Sequence, residues 1–173
     1  MSDRQRVLYE SITGGPRAQG PQHFALAAPD GSLRGPFDAM LRSPDLGTAL
    51  QELGAAIRYR TGLDDRAREL AILLVAAHWS SDFEQQSHEA IARALGFTEL
   101  ELEALRASDL GSFTGRDAAL GEAVLGLLAG DLDDTAWAAA SAALGEETLF
   151  ELATLVGYYS TLALQLRVFR VAA

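Results

Sequence analysis

The sequence runs to 173 residues, a length that favours one domain with a sizeable buried core. It is 49% apolar and 22% charged with a net charge of −10, a globular composition whose sign disfavours nucleic acid and anionic membranes as partners. Cysteine and lysine are both absent, which excludes disulfides, thiolate metal sites, Fe–S clusters, thiol redox catalysis, Schiff-base chemistry and a P-loop lysine.

The opening MSDRQRVLYE is charged and has no apolar core segment, so no signal peptide is expected and a cytoplasmic location follows as the expectation. Residues 13–36 hold four of the five prolines together with five glycines, and are expected to form an irregular arm. Phe24, Ala25 and Leu26 make it too apolar for a plain linker, so it should lie against the body of the protein or a neighbouring subunit. Beyond Pro36 the pattern is helical almost throughout. Helices are predicted over 37–42 and 44–60, the second with Ser43 as N-cap and Pro44 at its first position. The helix over 64–79 contains LAILLVAA, apolar on nearly every side and therefore buried. A helix over 81–95 follows and stops at Gly96. Thr98 and Glu101 then form a capping box for a short helix ending at Ala107. Helices over 116–129, 134–144 and 146–170 complete the chain. The least polar stretch, 152–164, is well short of the roughly 20 residues that span a bilayer, so it reads as a buried helix and no membrane partner is expected. No alternating β pattern competes. The expected class is all-α, a compact multi-helix bundle in a single domain over 1–173.

A faint internal echo supports two related helical halves: ALGFTELELEAL at 94–105 resembles ALGEETLFELATL at 143–155, at an offset of about fifty residues. Chance likeness among Ala/Leu/Glu-rich helices explains it equally well. The second half has no histidine, so a repeat would confine the site to the first.

The histidines are His23, His78 and His88. Glu84, His88, Ile91 and Leu95 fall on one helical stripe, so the carboxylate and imidazole face the same way as the apolar residues, inward or into a cleft. Glu69 shares a stripe with Leu73 and Ala76. Buried ionisable groups need partners, and such groups often mark a working site. Each also has a plain structural reading. Ser81 and Glu84 fit a capping box, Glu69 fits a helix-dipole or arginine contact, and His88 fits a hydrogen-bonded core histidine. A metal site from His78, Asp82, Glu84 and His88 would need a turn to bring the residues together, and none is assigned. A serine hydrolase is disfavoured, because there is no G-x-S-x-G elbow and Ser81 lies roughly 10 Å along the helix from His88. Trp79 and Phe83 read either as core or as pocket wall.

The segments GPFDAMLRSPDLG (35–47), RELAILLVAAHW (68–79), FEQQSHEAIARALG (83–96) and LATLVGYYSTLALQLRVF (152–169) resemble the carboxymuconolactone decarboxylase-like proteins, with the alkylhydroperoxidase D-like fold. The resemblance runs over about residues 4–170. It implies functional positions at Glu69 and His88. The family's peroxidase branch has a C-x-x-C-x-x-x-H motif, which reads S-x-x-E-x-x-x-H here, with Ser81 and Glu84 at the cysteine positions. Without a thiolate the thiol peroxidase activity cannot be inherited. Gln85 stands where the family usually has tryptophan, which changes the pocket surface.

The decarboxylase branch implies a cofactor-independent carboxy-lyase acting on a small carboxylated lactone or enolisable acid. Loss of CO2 leaves an electron pair that delocalises onto the lactone carbonyl oxygen, and the protein must stabilise that oxygen and protonate carbon. On this reading His88 is the general acid, Glu84 its orienting partner and Glu69 a second proton-handling carboxylate. Ser81, Tyr158 and Tyr159 are the substrate-binding candidates. A direct or water-bridged contact between Glu84 and His88 is expected, with Glu69 approaching the same pair from the preceding helix. The other reading is a non-catalytic protein that binds a ligand or assembles on the same shell. Apolar helix faces that one small bundle cannot cover point to a homo-oligomer.

Overall fold

The computed structural model describes residues 1–19 and 25–171, and most of them are helical. In chain order the helices are α1 (Asp3–Thr13), α2 (Pro16–Gln19), α3 (Pro36–Met40), α4 (Pro44–Tyr59), α5 (Asp65–Trp79), α6 (Asp82–Ala94), α7 (Glu99–Arg106), α8 (Gly115–Ala129), α9 (Asp134–Leu144) and α10 (Glu146–Phe169). The all-α expectation therefore holds. Among the described residues the β structure is a single isolated bridge, Ala27 to Leu33.

α5 is the centre of the molecule. Its residues from Leu70 to Val75 have no exposed surface, because α6, α7, α8 and α10 pack around it. Its start is fixed by Asp64, whose side chain accepts from Ala67 N–H at 2.8 Å. The capping box of Thr98 and Glu101 is present at the start of α7. The capping box expected from Ser81 and Glu84 is not: the Ser81 side chain makes no cap hydrogen bond, and Glu84 turns into the protein interior. Ile91 is buried as expected, whereas Leu95 is exposed, because α6 ends one residue earlier and Leu95 is its C-cap.

Two features of the N-terminal part go beyond the sequence reading. The charged opening contains a regular helix, α1, whose Leu8 and Ile12 lie one turn apart and enter the core. A capping box of Ser2 and Gln5 starts it. The arm over 13–36 is irregular only in part, since it includes the short helix α2 and a turn closed by the Ala27–Leu33 bridge. Leu33 belongs to the core, with Leu26 and Ala27 packed on it, so this part of the arm docks on its own protomer. His23 and Phe24 lie outside the described residues.

Helices of 15, 13 and 8 residues (α5, α6, α7) are followed by helices of 15, 11 and 24 residues (α8, α9, α10), so the third pair differs threefold in length. The first triplet carries His78 and His88, and the second carries no histidine.

Candidate active site

α5 and α6 form the floor of the site. The sharp link between them uses Ser80 in the left-handed conformation (φ 50°), which lets α6 fold back along α5. That packing sets Glu69 of α5 opposite His88 of α6. Glu69 Oε2 lies 2.6 Å from His88 Nδ1, and both residues are buried. The second oxygen of Glu69, Oε1, makes no hydrogen bond but faces Arg58 at 3.5 Å and Arg68 at 3.9 Å. Burial alone would raise the Glu69 carboxyl. The charge and hydrogen bond of His88, then Arg58 and Arg68, outweigh it and hold the group below its ordinary value.

Glu84 has the opposite environment. It is 1% exposed, and neither carboxylate oxygen has a hydrogen-bond partner. With nothing to stabilise the anion, burial pushes this carboxyl up to about 8. The direct hydrogen bond expected between Glu84 and His88 is not formed; Glu69 makes it instead. The i,i+4 spacing does put Glu84 and His88 on one face of α6, and both line one cavity. The imidazole turns towards the carboxylate that the arginines keep ionised.

That cavity is about 30 Å³, roughly the space of one water molecule. Arg58, Phe83, Glu84, His88, Tyr158 and Tyr159 are among its walls, with Pro36 and Phe37 of α3 and Leu162 of α10. The Tyr159 ring stands edge-on to His88 with centroids 5.4 Å apart, and its hydroxyl hydrogen-bonds Arg58. Tyr158 packs edge-on against Tyr159 at 5.2 Å. Trp79 Nε1 donates to Ser160 Oγ at 2.9 Å, which ties the end of α5 to α10 and fixes the register that presents both tyrosines.

The predicted residues thus separate into groups. Glu69, Glu84, His88, Tyr158 and Tyr159 converge. Ser81 lines a neighbouring pocket. His78 is exposed at the end of α5 and does not join them. Among the described residues, no group of three or more histidines and carboxylates is placed to hold a metal ion. Sequence reasoning missed Arg58. An arginine in the last turn of α4 reads as an ordinary complement to the helix dipole, and no spacing signal links it to Glu69, eleven positions later. Phe37 was also missed, because α3 is too short for its inward face to be read.

Chemically, the site combines an ionised carboxylate bound to an imidazole, a neutral carboxylic acid, a guanidinium and two phenols around a small cavity. Such a set can donate a proton and stabilise a nascent oxyanion. No match to the chain was found among curated proteins. Residues 44–124, which include Arg58, Glu69, Glu84 and His88, match the model of the Carboxymuconolactone decarboxylase family. The helical architecture is of the alkylhydroperoxidase D-like type. Over that segment, just under half of the chain, the protein is similar to the Carboxymuconolactone decarboxylase family, and the chain carries no cysteine.

Proposed function

We propose that the protein is a cofactor-independent proton-transfer enzyme that decarboxylates a small carboxylated lactone or a related enolisable acid. The observation that carries this reading is the division of labour between two buried carboxyls, Glu69 ionised on His88 and Glu84 unpartnered at the same cavity. A purely structural pair would need only the first.

In the proposed reaction the bond to the departing CO2 breaks, and its electron pair moves through the conjugated system onto the lactone carbonyl oxygen. Arg58, with the Tyr159 hydroxyl it binds, offers that oxygen positive charge and hydrogen-bond donors in a dry setting. His88 then transfers a proton to carbon. Its Nδ1 is engaged by Glu69, which orients the ring and supports its positive charge, while Nε2 is left for the substrate. Glu69 therefore takes the orienting role first assigned to Glu84. Glu84, neutral below about pH 8, donates a hydrogen bond to the reacting group and resupplies the proton. A neutral acid here also avoids placing a third negative charge beside an anionic substrate.

The test is CO2 release from a panel of γ-carboxylated unsaturated lactones and enolisable acids. The wild-type protein should turn over at least one, and His88→Gln should reduce that rate by about 10²–10⁴-fold while remaining folded. A folded His88→Gln protein with unchanged turnover contradicts the assignment. A wild-type protein that binds such acids but releases no CO2 is a binding protein on this fold.

A further inference from the structure

Next to the catalytic cavity lies a larger pocket of about 210 Å³, formed where the end of α5 and the start of α6 meet the end of α10. Trp79, Ser81, Phe83, Leu166 and Arg167 are among its walls. Ser81 is 9% exposed, and its hydroxyl has no hydrogen-bond partner among the described residues. The first backbone bond of α6 runs from Gln85 N–H to the Ser81 carbonyl, so the N–H groups of Asp82 and Glu84 are left without a backbone acceptor at the positive end of the helix dipole. Arg167 is aimed here by donating to the Trp79 carbonyl. Asp82, exposed at the rim, is the acidic group among the lining residues.

A buried hydroxyl, uncapped N–H groups and a guanidinium make up a donor set for a planar oxyanion. We propose that this pocket is the carboxylate subsite of the same active site. Ser81, the start of α6 and Arg167 hold a substrate carboxylate there. The inference rests on the proton-transfer reading of the adjoining cavity, because Phe83 is a wall of both spaces. A molecule anchored by its carboxylate in the larger pocket meets Glu84 and His88 past the Phe83 ring. The carboxylate held here is the one the product keeps. Strong donors on the departing carboxylate would stabilise the ground state and slow its loss.

The probe is a saturated γ-lactone whose carboxylate sits on a side chain off the ring, the position of a carboxylate that a product keeps, compared with its methyl ester. Dissociation constants are measured by ligand-observed NMR. The wild-type protein should bind the acid about tenfold more tightly than the ester, since hydrogen bonds to a charged group are the strong ones. Ser81→Ala and Arg167→Gln should each erode that preference, and the double variant should remove it without weakening the ester. His88→Gln and Glu84→Gln should leave it intact. Formate should displace the acid and not the ester from the wild-type protein, a readout that needs no variant. Equal binding of acid and ester, or a folded double variant that keeps the preference, overturns the subsite. A preference that depends on Ser81 and Arg167 in a protein that releases no CO2 supports the subsite and sinks only the catalytic reading. Turnover whose KM is unmoved by Ser81→Ala and Arg167→Gln sinks only the subsite.

Discussion

Neither oxygen of Glu84 meets a hydrogen-bond donor, whereas Glu69 faces His88 and two arginines at comparable depth. The two carboxyls therefore couple to stability with opposite sign. Glu84 is raised to about 8 by burial, so between its unfolded value and that pH the folded protein binds a proton that the unfolded chain has released. Stability falls as pH rises through this window. Glu84→Gln removes the penalty. Thermal melts should show the variant matching wild type near pH 4 and exceeding it at pH 9, by an amount on the order of a few kcal/mol. Glu69 is held low, so its contribution is present above its unfolded value and is lost as pH falls through the folded one. Glu69→Gln leaves buried Arg68 and His88 without their carboxylate, and urea titration should show a loss of about 3–5 kcal/mol. A stabilised Glu69→Gln or a destabilised Glu84→Gln at alkaline pH would reverse the assignment.

At the scale of the element, the loop entering α3 shapes the cavity that Glu84 and His88 line. Gly35 adopts φ 57° and ψ −140°, and a Cβ there would collide with the tip of the Phe83 ring. Gly35→Ala combines strained backbone with a displaced wall. It should cost about 1–3 kcal/mol in denaturant titration and lower kcat/KM more than a surface Gly→Ala such as Gly111→Ala. Equal effects would remove Phe83 from the site. This position also illustrates what the sequence made legible. The long helices, the buried run of α5 and the inward stripe of Glu84, His88 and Ile91 are periodic signals, and all were readable. The approach of Glu69 to His88 from the preceding helix was also expected, but that Glu69 and not Glu84 takes the imidazole's hydrogen bond was not legible, because i,i+4 spacing reports neighbours on one helix and does not rank them against a partner from the next. Arg58 and Gly35 reach the site through tertiary packing alone. Helix α1 was hidden because its two core residues sit among charged neighbours that obscure a short stripe.

At the scale of the whole molecule, the outer face of α10 is unusual for a chain carrying a net charge of −10. Phe150, Leu164 and Val168 are 75%, 43% and 67% exposed, and Ala153, Gly157 and Thr161 lie between them without a charged side chain. A Cβ at Gly157 would meet nothing within 4 Å. We infer that a second copy of the chain covers this face, since it is a strip along which two like-charged protomers approach without repulsion. Sedimentation at micromolar concentration should give a homo-oligomer, and Val168→Glu should shift it towards the 18.4 kDa monomer. A wild-type monomer would contradict this. Among the described residues no helix is long and apolar enough to cross a membrane.

The account turns on one ionised carboxyl bound to His88 and one neutral carboxyl, unpartnered, at the cavity that His88 lines. The most direct measurement is a ¹³C NMR titration of protein labelled at the glutamate side-chain carboxyls, with the Glu84 signal assigned by its absence from Glu84→Gln. The account predicts that Glu84 is protonated at pH 6, titrates near pH 8, and that any CO2-releasing activity declines over the same interval. The Glu69 signal should remain that of a carboxylate down to pH values below the usual carboxyl range. A Glu84 signal already ionised at pH 6 would contradict the central claim.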